Sequence, residues 1–335
     1  MLSSKTVEIW AFPHKNLPKE NTKFCIPSQF LEKGILLRPD VHWRIKIYPI
    51  EEKDIPRAPS WIGQNSQADH TRGYKFVLSL SRDIISYYID KVIHKLTQDK
   101  VDYNSIRRKN GLKGVLFNSL LTSDFNNTCM LFISSINVSS IFCFPVSEVR
   151  FFYYDKETVG EKIIFSHRNL YFQENFDFDK INDVKFFDFI QNIRSELIEG
   201  PSTQFSRAFS YFMHSIANRK IRSIDTLVWS LAGIEALVGQ KGRSSRYLVE
   251  QRLQVILPEL TQPHLLQKFK NLYDLRSNII HGAESVSAPF SRNSESNDLQ
   301  IIHFGNYAQC ILIHLMHKYF KLNKYNINFG IHIKP

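Results

Sequence analysis

The sequence predicts an α+β N-terminal domain followed by an all-α helical bundle. Three observations carry this reading. Before residue 200, short alternating segments are interspersed with helical ones. From Thr203 to Leu322, apolar residues recur only at helical spacing. Between the two lies Glu199-Gly-Pro-Ser-Thr203, where Gly200 can end one helix and Ser202 or Thr203 can cap the next. The chain of 335 residues is long enough for two cores. Its 43% hydrophobic and 22% charged residues are those of a globular chain, and its 13 Gly and 13 Pro exclude collagen-like and broadly disordered chains. The expected organisation is an α+β domain over 1–199, a helical bundle over 203–322 and a strand-like tail over 323–335.

In the first part, His42-Trp-Arg-Ile-Lys-Ile-Tyr-Pro-Ile50 alternates polar and apolar residues, as a half-buried strand does. Tyr74 to Leu80 reads as a second strand. Arg82 to Leu96 reads as a helix, with Ile85, Tyr88, Ile89, Val92, Ile93 and Leu96 at helical spacing. The apolar run Met130 to Val146 is interrupted by Ser134, Ser135, Asn137, Ser139 and Ser140. It makes a poor membrane span and is read as one or two buried strands. Val149 to Tyr154 and Lys162 to Phe165 look like strands joined by a turn through Asp155 to Gly160. Ile181 to Ile198 is expected to be one helix.

The second part carries five helical stripes. The first is Phe205, Phe209, Phe212 and Ile216. Ile224, Leu227, Val228, Leu231 and Val238 form the next. Tyr247, Val249, Leu253 and Ile256 support a third helix, which Pro258 stops. Leu265, Phe269, Leu272, Ile279 and Ile280 mark a fourth, and Ile301, Phe304, Ala308, Ile311, Leu312 and Leu315 a fifth. Five amphipathic helices over so short a span make a bundle. Ser285 to Asp298 is read as a long exposed loop. Tyr325 to Ile333 alternates like a strand that returns to the N-terminal sheet.

The net charge of +11 favours polyanions such as nucleic acid, but it is spread along the chain without a basic tail. Cys25, Cys129, Cys143 and Cys310 form no C-x-x-C pair, which fits a reducing compartment and offers no zinc spacing. No signal-peptide stretch is present at the N-terminus, so the protein is expected in the cytoplasm, away from membranes. No metal or other cofactor is expected. His314 and His317, spaced i, i+3, lack a third ligand nearby in sequence and are read as surface histidines.

The residues best suited to chemistry are in Tyr273-Asp-Leu-Arg276-Ser-Asn278-Ile-Ile-His281-Gly282. A histidine titrating near neutrality can take the proton of a ribose 2′-hydroxyl or return one to a leaving 5′-oxygen. A guanidinium can grip the phosphate and offset its developing charge. Five residues turn an ideal helix by about 140°, so Arg276 and His281 do not share a helix face; a helix end at Gly282 or a second copy must bring them together. The same residues also suit structural roles: Arg276 pairing with a carboxylate and His281 favouring a helix C-terminus. Glu235 falls on the apolar stripe of its helix and needs a partner, for which Arg276 is a candidate. Arg243 and Arg246, with Arg252 further on, are candidates to track an RNA backbone; the alternative is a solvated loop at a helix start.

Ile224-Asp-Thr-Leu-Val-Trp-Ser-Leu-Ala-Gly-Ile-Glu-Ala-Leu-Val238, followed by Leu272 to Gly282, resembles the HEPN superfamily and, within it, the Apea-like group. The family's R-x4-6-H motif maps onto Arg276 and His281, and its helix-borne glutamate onto Glu235. The position directly after the arginine, commonly Asn, Asp or His, is Ser277 here, with Asn278 next. The resemblance implies a helical domain that forms a homodimer with a composite ribonuclease site. Arg276 and His281 would carry catalysis, Ser277 and Asn278 would assist through hydrogen bonds, and Glu235 would position Arg276. It implies an endoribonuclease that cuts tRNA or other RNA without a metal, in antiviral, abortive-infection or toxin–antitoxin defence, under an antitoxin or regulatory partner. The alternative it allows is a noncatalytic module that binds RNA or a partner protein.

Overall fold

The structure is a computed structural model that describes residues 5–13, 28–37, 43–49, 74–80, 82–98, 110–139, 146–153, 156–157, 181–216, 223–239, 246–284 and 296–329. The chain divides into two compact units. One comprises Met1–Ser134 with Val146–Lys162, the other Ser135–Pro145 with Ile163–Pro335.

The first unit is built on strands β1 (Lys5–Pro13), β2 (Ile35–Leu36), β3 (Arg44–Pro49), β4 (Tyr74–Leu80), β5 (Val146–Tyr153) and β6 (Lys156–Glu157). Among the described residues these form one antiparallel sheet in the order β2-β3-β4-β1-β5-β6. Alternation works as the sequence predicts: Ile45 and Ile47 of β3 and Tyr74, Phe76 and Leu78 of β4 are buried, and Ile47 pairs with Phe76. Helices α1 (Ser28–Lys33), α2 (Arg82–Gln98) and α3 (Asn110–Ser139) accompany the sheet. Phe132 of α3 meets both Phe30 and Phe76 edge-to-face, at 4.8 and 5.9 Å between ring centres. The Thr128 hydroxyl donates to the Leu37 carbonyl at 2.7 Å, and the Tyr88 hydroxyl donates to Asp124 at 2.8 Å. Gly34 follows α1 with φ +66°, and a side chain there would meet the Ile45 carbonyl oxygen at 2.5 Å. Only glycine fits that turn.

Helix α3 corrects one sequence expectation. Residues 130–139 are its last turns, not strands. Every residue from Leu131 to Ser139 is buried, so no polar stripe marks the helical period, and a helix apolar all round reads like a buried strand. The segment Lys162 to Phe165 lies outside the described residues.

The second unit holds α4 (Asp183–Gln191), α5 (Arg194–Glu199), α6 (Gln204–Ile216), α7 (Ser223–Val238), α8 (Arg246–Ile256), a 3-10 turn (Pro258–Thr261), α9 (Pro263–Ile280) and α10 (Ser296–Lys321). All five expected helices are present. The single helix expected over 181–198 is instead two, interrupted at Asn192 and Ile193. Asparagine favours helix ends over interiors because its side chain competes for backbone groups. This unit extends beyond the 203–322 segment. Phe186 and Phe189 of α4 pack on Phe205 of α6 and Phe320 of α10. Thr203 caps α6, accepting from the Ser206 backbone N–H at 3.1 Å. Glu196 reinforces this start by accepting from Ser202, Thr203 and Ser206.

Helix α7 lies at the centre of the unit, packed on α6 and α10. Gly233 allows the close approach, since a side chain there would come within 2.7 Å of Leu312. Helix α10 begins at Ser296, so 296–298 are helical rather than part of the expected loop; 285–295 lie outside the described residues. The tail is also corrected. Residues 325–329 form no strand and instead bind the start of α6. Phe205 N–H donates to the Tyr325 carbonyl, Gln204 N–H to the Asn326 side chain, and Ile327 N–H to the Gln204 side chain. The tail's alternation reflects side chains seated on helices: the Tyr325 ring stacks on Phe189 at 4.3 Å. No helix among the described residues is long and apolar enough to cross a membrane.

Candidate functional site

Helix α9 buries Leu265, Phe269, Leu272, Tyr273 and Leu275. Its last turn emerges from the core: Ile279 is half-buried and Ile280, placed on the apolar stripe by the sequence, is 49% exposed. His281 is the C-cap and is exposed, and Gly282 follows with φ +72°. Gly282 N–H donates to the Ile279 carbonyl and Ala283 N–H to the Asn278 carbonyl. That paired pattern is a Schellman motif, which needs a left-handed residue after the cap. The helix end inferred from Gly282 is therefore present, and it fixes the backbone of His281 one residue before the chain turns away.

Arg276 is half-buried. Its Nε is shut off from solvent and has no hydrogen-bond partner. Among the described residues its guanidinium makes neither an ion pair nor a hydrogen bond. Among the described residues nothing joins it to His281, in keeping with their angular offset on the helix. Ser277 is half-buried and Asn278 exposed; their backbone carbonyls are occupied in closing the helix, which leaves their side chains for any further contact.

Glu235, half-buried on α7, does not pair with Arg276. It accepts a hydrogen bond from the Tyr273 hydroxyl at 3.0 Å. Tyr273 is 8% exposed and one helical turn before Arg276. Burial first, and the Glu235 carboxylate second, push the Tyr273 hydroxyl well above the ordinary phenol range, with Arg276 opposing. Tyr273 is thus a neutral donor held between a carboxylate and a guanidinium. The signal for it in the sequence is its place three residues before Arg276, the helical spacing that brings side chains together.

The proposed RNA-tracking arginines separate. Arg246 is held by Glu250 at 2.8 Å and by Asp274 of α9. Its hydrogen bond to Glu250 leads the interactions that raise its pKa, so its charge is already answered. Arg252 is 7% exposed, donates to the Val238 carbonyl at 2.9 Å and lies 4.9 Å from the Phe329 ring centre. Burial pulls its pKa down. It is a core residue closing the C-terminal end of α7, not one facing a polyanion. Arg243 lies outside the described residues.

His314 and His317 are not on the surface. They are 0% and 1% exposed, one bonded to Glu259 and the other donating to the Val138 carbonyl at 2.6 Å. The sequence missed this because α10 is apolar on nearly every face through 307–317. Among the described residues, no three His, Cys, Asp or Glu side chains group in a way that could hold a metal ion. Comparisons with protein-family models, with curated proteins and with solved structures returned no match.

Proposed function

We propose that the helical unit is an endoribonuclease acting without a metal through the ribose 2′-hydroxyl. The observation that carries this reading is the end of α9, where a guanidinium with no partner among the described residues and an exposed histidine stand before a glycine-terminated turn. Arg276 holds the scissile phosphate and offsets charge on its oxygens in the transition state. His281 takes the 2′-hydroxyl proton or delivers one to the 5′-oxygen. The nucleophile belongs to the substrate, and the products are a 2′,3′-cyclic phosphate and a 5′-hydroxyl. Ser277 and Asn278 assist through their side chains. Glu235 acts on Arg276 through Tyr273. A second copy brings its own Arg276 and His281 to the first, as the HEPN resemblance implies, and tRNA in a defence setting is the substrate class that resemblance favours.

The test is single-turnover cleavage of bulk tRNA in EDTA by the wild type, Arg276→Ala and His281→Ala. Cyclic-phosphate ends from the wild type alone support the reading. Ends bearing a 3′-hydroxyl contradict the chemistry, and equal behaviour of all three chains contradicts the site. The separation of Arg276 from His281 within one chain favours a second reading, a noncatalytic module binding RNA or a protein. That reading predicts tRNA retention without cleavage, together with a monomer in solution.

A further inference from the structure

We propose that Tyr273 is a positioning residue that keeps Glu235 away from Arg276, so that the arginine's charge stays available to a phosphate. This rests on the ribonuclease reading of the same site. The steps are physical. Glu235 occupies the apolar stripe of α7, where a carboxylate needs a partner. The neighbouring helix offers two donors one turn apart, Tyr273 and Arg276. A carboxylate in a partly buried setting pairs with a guanidinium more strongly than with a phenol, because the charged hydrogen bond is the stronger one. Yet the structure has Glu235 on the Tyr273 hydroxyl at 3.0 Å, and among the described residues Arg276 makes no ion pair.

The consequence for function is direct. An Arg276 bound to Glu235 would present a neutralised pair to an incoming phosphate, and the ligand would have to displace the carboxylate. With Glu235 committed to Tyr273, that competition is absent. The hydrogen bond also ties α7 to α9 one turn before Arg276, which fixes where the guanidinium emerges. The raised pKa of the phenol keeps its proton in place across the range in which RNA is handled.

The experiment uses the full chain and three variants: Tyr273→Phe, Glu235→Gln and the two combined. Tyr273→Phe frees Glu235 to pair with Arg276, and tRNA cleavage falls about tenfold. Adding Glu235→Gln removes the competing charge, and the double variant cleaves about threefold better than Tyr273→Phe alone, short of the wild type because the bond between α7 and α9 is gone. Affinity is read separately in a His281→Ala background, where binding of bulk tRNA weakens with Tyr273→Phe and returns in part with the double variant. Two losses that simply add, with no recovery, overturn the proposal and make Tyr273 a packing residue. A Tyr273→Phe chain that fails to fold, by circular dichroism, overturns it in the same direction. Failure of the ribonuclease reading looks different: the His281→Ala chain then cleaves as well as the wild type, whatever Tyr273 does.

Discussion

Helix α8 and the end of α9 treat their cations in opposite ways. On α8, Arg246 holds two carboxylates and Arg252 is buried against a carbonyl and a ring. At the end of α9, Arg276 has no partner among the described residues and His281 is exposed. The two regions look alike in sequence, each a basic residue or two near a helix terminus. The difference teaches that, in a chain of net charge +11, a cation's partners say more than its identity. An arginine that already holds carboxylates must release them to bind a phosphate, and one without partners releases nothing.

The comparison breaks most readily at Arg276 and His281. Either residue changed to alanine is expected to lower single-turnover RNA cleavage about 100-fold or more, with the melting temperature nearly unchanged. A comparable loss of melting temperature in these variants would place them with the structural arginines. Arg252→Ala should behave in the reverse sense, losing about 1–3 kcal/mol of stability in a urea melt as the Val238 carbonyl is left buried and unpaired. If Arg252→Ala melts like the wild type while weakening tRNA binding, the contrast between the helices fails. Gly282→Ala sharpens it. With open space around the position, the expense is the φ of +72° alone, about 1 kcal/mol, and the shifted turn lowers cleavage by displacing His281.

The smallest effect belongs to Glu196, a control in which a carboxylate acts only on stability. Burial would raise its pKa, but the hydrogen bonds from Ser206, Ser202 and Thr203 together outweigh that and hold it below the ordinary 4.5. A lowered folded-state pKa gives stability that is full above about pH 4.5 and is lost as pH falls through the lowered value. Glu196→Gln should flatten the acid limb of the melting temperature against pH, by less than about 1 kcal/mol because the group is partly open to water.

Much of the fold was legible because most helices and the strands β3 and β4 each have one wet face. Ile45 and Ile47, or Phe205, Phe209 and Phe212, announce their period by the polar residues between them. Legibility ends where burial surrounds an element. The last turns of α3 and the histidines of α10 carry no such contrast, so in sequence the first resembles a strand and the others resemble surface residues. The candidate site was legible at Arg276, His281 and Gly282, whose types mark a helix end. Glu235 was identified, but its partner was not. Choosing between Tyr273 and Arg276 takes the relative placement of α7 and α9, which no single helix's period contains.

The fastening of the tail to α6 has a consequence for the protein's birth. The N-terminal turn of α6 is closed by Asn326, a residue 122 positions later, and by the Tyr325 carbonyl. During synthesis the N-terminal residues leave the ribosome first, so this clasp stays open until every described helix of the unit has been made. Contacts of such long range also form slowly. On the ribonuclease reading proposed above, the bundle is finished only after the message has been read through these positions.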